Sequence, residues 1–81
     1  MYRVGELQMK EKILQICKNI DDTIDYSVDG LVDNGLLDSV TLIEIVSGLE
    51  DTLKISIPYE EISPENFNSI DAMIKMVTRY V

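Results

Sequence analysis

The chain has 81 residues, with 15 acidic against 7 basic side chains, a net charge of −8, no His and a single Cys. Acid in this excess repels the phosphates of nucleic acid and an anionic bilayer, and it steers the protein toward partners with basic faces in a salt-dependent way. A chain this short buries only about 60–70% of its unfolded surface, so residues 1–81 read as one domain with little room for an enclosed active site.

Residues 6–19 read as the first helix. Met9, Ile13, Ile16, Cys17 and Ile20 recur at helical spacing and give one apolar stripe. Lys10, Glu11, Lys12, Gln15 and Lys18 fall on the other faces. Cys17 has no partner for an intramolecular disulfide and reads as a small buried apolar residue. No N-terminal segment joins basic residues to a long apolar run as a signal peptide does, and no run approaches the roughly 20 apolar residues of a spanning helix. The expectation is a monomeric cytoplasmic protein with no membrane insertion and no nucleic-acid partner.

Residues 21–38 carry Asp21, Asp22, Asp25, Asp29, Asp33 and Asp38, with Gly30 and Gly35. Acids and glycines at this density predict a loop. It is long for a compact domain, so Ile24, Val28, Leu31, Val32, Leu36 and Leu37 are expected to pin it down. Residues 39–53 read as the second helix, with Val40, Ile43, Ile45, Val46, Leu49 and Leu53 forming a broad apolar face and Leu42 beside it. An arc this wide belongs to a central helix, or to one that also shows apolar surface to a partner. Ile55-Ser56-Ile57-Pro58 alternates briefly and reads as an extended connector. Ser63 and Pro64 suit the cap and first position of a short helix. Asn68 or Ser69 caps the last helix, whose stripe is Ile70, Met73, Ile74, Val77 and Val81. The predicted fold is all-α: a small four-helix bundle of three main helices and one short one, with a long first loop.

Ser39 opens the second helix, where unpaired N–H groups and a partial positive charge meet. A phosphate joined to its hydroxyl would find both. Asp and Ser are also ordinary helix caps, so the pair alone says little. The longer run says more. Gly35-Leu36-Leu37-Asp38-Ser39-Val40-Thr41-Leu42-Ile43-Glu44-Ile45-Val46, continuing through Leu49-Glu50-Asp51 and Leu53 to Ile55-Ser56-Ile57-Pro58, resembles the attachment motif of the acyl carrier protein family, which includes D-alanyl and peptidyl carriers. The likeness covers residues 31–81 well and the first 30 residues only by helical pattern.

The resemblance implies a carrier that is not an enzyme. Ser39 would bear 4′-phosphopantetheine, added from coenzyme A by a phosphopantetheinyl transferase, with Asp38 flanking it in the motif. The arm would hold an acyl or aminoacyl group as a thioester and present it to cargo-loading and cargo-using enzymes with basic docking faces. Asp38, Glu44, Glu50 and Asp51 match the family's acidic positions. Val40, Ile43 and Ser47 are further candidates for partner contact, although Ile43 could equally be core. Val40 stands where the family usually has Leu, and Thr41 where many fatty-acid carriers have an acid. Leu36-Leu37 is closer to the D-alanyl and peptidyl carriers. The cargo stays open among fatty acyl, polyketide, amino-acid and D-alanine groups.

Two other readings compete. A non-covalent helical module could use the same acidic face. Asp25-x-Ser27-x-Asp29-Gly30 resembles the start of an EF-hand calcium loop, but the closing bidentate Glu is replaced by Leu36, so no metal site is expected.

Overall fold

The structure is a computed structural model that describes residues 4–81. Its elements are α1 (Val4–Ile20), α2 (Ser39–Leu53), a single 3₁₀ turn (Tyr59–Glu61), α3 (Pro64–Phe67) and α4 (Ile70–Val77), with no strand among the described residues. This is the all-helical bundle expected, with the 3₁₀ turn as an addition between the connector and α3.

The helices end where local chemistry ends them. Glu6 lies in the first turn of α1 and Lys18 in its last, each at the end where its charge opposes the helix dipole. Lys54 closes α2 in the left-handed region, φ 57°, and its N–H donates to the Glu50 carbonyl. Pro64 starts α3 behind Ser63. Of the two candidate caps for α4, Ser69 takes the role: its hydroxyl accepts from the Ala72 N–H at 3.0 Å.

The core follows the predicted stripes with a few exchanges. Ile13, Ile16 and Cys17 of α1 pack with Ile45, Val46 and Leu49 of α2 and with Ile70, Met73, Ile74, Met76 and Val77 of α4. Phe67 of α3 is fully buried in the same core. Val81, expected in the last stripe, lies beyond the end of α4 and is exposed, and Met76 is buried. At Gly48 α1 and α2 approach closely: a Cβ there would lie 2.7 Å from Cγ2 of Ile16. Burial pushes the Cys17 thiol up to about 12, so it stays protonated and unreactive at neutral pH.

The long loop is held by fewer apolar residues than its sequence offers. Leu31 and Leu37 are buried and Ile24 and Val32 are half-buried, but Val28 and Leu36 are exposed. Tyr26 fills the gap. Its ring is 4% exposed, and its hydroxyl proton is shared between the carbonyls of Asp21 at 2.6 Å and Cys17 at 3.0 Å. Burial, with the nearby Cys17, Asp21 and Asp22, pushes that phenol up to about 12. Loop and helix end are thereby sealed together.

Candidate functional site

Leu37 is buried and drags the end of the loop into the core, while Leu36 before it points to solvent. Gly30 and Gly35, at φ 72° and 78°, supply the left-handed turns that bring the chain round. Asp38 then follows in extended conformation, φ −85° and ψ 175°. Its carboxylate accepts the Thr41 N–H at 2.8 Å and its carbonyl accepts the Leu42 N–H at 2.9 Å. The Thr41 N–H, and its hydroxyl behind it, hold the Asp38 carboxyl below the usual carboxylate range.

Asp38 is therefore the cap, and Ser39 is released from that duty. Ser39 is the first residue of α2 and is exposed. The helix end already has an anion in place, because the Asp38 carboxylate takes the Thr41 N–H, one of the N–H groups at this helix start.

From Ser39 onward α2 shows an unburied stripe. Val40 is 66% exposed and Ile43 60%, so Ile43 is surface and not core. Glu44, Ser47 and Asp51 are exposed as well. Steps of three and four place these five residues along one face. Glu50 is half-buried beside that face, and its carboxylate accepts the Ile57 N–H at 2.8 Å. It fixes the extended connector to α2.

Among the described residues the shifted aspartates do not converge on one another. The lowered aspartates are accounted for by their own turns: Asp21 by Thr23, Asp25 by Ser27 and Asp38 by Thr41. The Asp25 carboxylate accepts both the N–H and the hydroxyl of Ser27, so it closes a turn instead of converging on Asp29. Among the described residues no three His, Cys, Asp or Glu side chains are grouped to hold a metal ion. A groove of about 470 Å³ runs between α1, the loop and the start of α4, lined by Lys10, Leu14, Lys18, Ile24, Tyr26 and neighbours. Neither Ser39 nor the α2 stripe lines it.

Asn68 is the residue that the sequence undervalued. It reads as a helix cap, yet its side chain crosses to the loop and grips the backbone at Val32 and Asp33. No sequence signal marks this, because the partners are far apart along the chain.

These features define a class: a small helical bundle with an exposed serine at a capped helix start, beside an open apolar and acidic stripe. A D-alanyl carrier protein of Leuconostoc mesenteroides is 30% identical over 88% of this chain and 94% of its own length. A D-alanyl carrier protein of Streptococcus suis is 30% identical over 88% of this chain and 92% of its own length. Aminoacyl carrier protein 1 of Bradyrhizobium diazoefficiens is 31% identical over 85% of this chain and 81% of its own length. No family model and no solved structure matches the chain. The chain belongs to the carrier-protein family, whose members hold cargo for enzymes and are not enzymes themselves. No helix among the described residues is long and apolar enough to cross a membrane.

Proposed function

We propose that Ser39 is the attachment point of a 4′-phosphopantetheine arm and that the chain, as a single monomeric domain, carries an amino acid, D-alanine first among them. The observation that carries this reading is the division of labour at the helix start: Asp38 makes the capping bond, so the adjacent Ser39 hydroxyl is exposed and uncommitted to the cap. The cargo class is taken from the names of the relatives, which are D-alanyl and aminoacyl carriers.

Ser39 is an acceptor. Its hydroxyl oxygen forms the new P–O bond with the pantetheine-bearing phosphate of coenzyme A. The adenosine bisphosphate half leaves with the electrons of the broken bond, and the serine proton passes to a base of the transferase. The arm supplies a thiol that holds the cargo as a thioester. Val40 and Ile43 offer a partner apolar contact next to the serine, and Glu44 and Asp51 flank it with charge that sets encounter rate and orientation. On this reading the carrier works in the cytoplasm, where coenzyme A is available.

Incubation with coenzyme A and a phosphopantetheinyl transferase should add one pantetheinyl phosphate, read by intact mass, and Ser39→Ala should abolish the gain. A gain that persists in the alanine variant would overturn the site. An adenylating enzyme that then loads D-alanine in preference to a fatty acid onto the modified chain supports the cargo class, and the reverse preference overturns it.

A further inference from the structure

A loop rich in glycine and aspartate is a poor platform for presenting a serine, unless something outside it holds it. Asn68, which follows α3, provides that hold. Its carbonyl accepts the Leu31 N–H at 2.9 Å. Its Oδ1 accepts the Val32 and Asp33 N–H groups, each at 3.0 Å, and its Nδ2 donates to Asp33 Oδ2 at 3.0 Å. The Asn68 carboxamide offers an acceptor for two N–H groups and, on a separate atom, a donor for a carboxylate. The bonds of Asn34 N–H to the Gly30 carbonyl and Gly35 N–H to the Val32 carbonyl stay within the loop.

The hold is passed on toward the serine. Leu31 is gripped on both sides: its N–H by Asn68 and its carbonyl by the Leu37 N–H at 2.9 Å. Both leucine side chains are buried. Asp38 follows Leu37 and caps α2, and Ser39 comes next. A continuous path therefore runs from Asn68 through Leu31 and Leu37 to the exposed hydroxyl. We infer that Asn68 is a positioning residue for Ser39, fixing from the α3–α4 junction the loop that presents the serine to enzymes that act on it. This rests on the reading of Ser39 as the acceptor.

The test measures transfer kinetics from coenzyme A by a phosphopantetheinyl transferase, with amide hydrogen exchange and circular dichroism on the same samples. Asn68→Ala should speed exchange at Leu37, whose bond goes to Leu31 and not to Asn68. It should also raise the KM for the carrier about tenfold while kcat holds, because the transferase must then order the loop on binding. Asn68→Asp keeps the acceptor oxygens but sets a carboxylate against Asp33, and should lose about as much. Adding Asp33→Asn to Asn68→Asp reverses the polarity of the pair and should recover most of the loss.

A helical Asn68→Ala variant with wild-type KM and wild-type Leu37 exchange overturns the inference. So does an Asn68→Asp variant that Asp33→Asn fails to rescue, and that pair decides the matter alone where the alanine variant does not fold. A wild-type chain that takes no arm at Ser39 counts against the carrier reading, and Leu37 exchange then still judges the hold of Asn68 on the loop.

Discussion

Asp38 and Ser39 are both good helix caps, and the backbone chooses between them. Asp38 adopts the extended conformation that capping needs, so Ser39 falls inside the first turn and is exposed. The Thr41 N–H is taken by the Asp38 carboxylate, so the capping bond is made without Ser39. At the other end of α2 a single residue carries strain. Lys54 sits at φ 57°, a region that costs a non-glycine residue roughly 1–2 kcal/mol. Glycine removes that cost and adds about 0.5–1 kcal/mol of backbone entropy to the unfolded chain. Lys54→Gly should therefore stabilise the fold by about 0.5–1 kcal/mol, seen as a higher urea midpoint at unchanged slope. A lower midpoint would mean that the Lys54 side chain makes a contribution larger than its strain.

At the scale of elements, the helices were legible and the loop's anchors were not. Ile13, Ile16 and Cys17, or Ile70, Met73 and Ile74, announce a buried face by their spacing, and they are buried. The start of α2 at Ser39 was legible too, since the run around it is continuous in sequence. Tyr26 stands among aspartates, serines and glycines and has no periodic neighbour, so nothing local marks it as core. Asn68 was hidden because its role depends on a partner segment that only the folded chain brings near. Val28 and Leu36 erred in the other direction: both are apolar, but their backbone positions face outward. The value of Tyr26 can be measured. Tyr26→Phe keeps the ring and removes the shared proton from the Asp21 and Cys17 carbonyls. It should cost about 1 kcal/mol, the net worth of a hydrogen bond, as a lower urea midpoint. It should also speed amide exchange in residues 21–26, where a uniform increase across the whole chain would show that Tyr26 supports the fold globally and not the loop.

For the molecule as a whole, the acidic excess sets two opposing trends with pH. Lowering the pH relieves the mutual repulsion of a chain with net charge −8. It also protonates carboxylates that the fold uses. Glu61 is the chief of these. It accepts the Tyr80 hydroxyl at 2.5 Å, both terminal contacts of Arg79 at 2.8 Å and the Asn66 amide at 3.1 Å, tying the 3₁₀ turn to the C-terminal end. The Tyr80 hydroxyl first, then Arg79 and Asn66, hold its carboxyl below the ordinary value of 4.5. A carboxyl with a depressed folded value binds fewer protons in the native state. Its contribution is complete above 4.5 and is lost as pH falls through the lower folded value. Comparison with Glu61→Gln separates this from the general charge effect, which both chains share. The wild type should melt higher than the variant at neutral pH, and the gap should hold down to the ordinary carboxylate range. It should then close as the pH is taken below that range and through the lower folded value. A gap that stays constant through that fall would assign the stabilisation to the shape of the side chain and its neutral hydrogen bonds, and would remove the carboxylate's charge from the account of how the C-terminal turn is held.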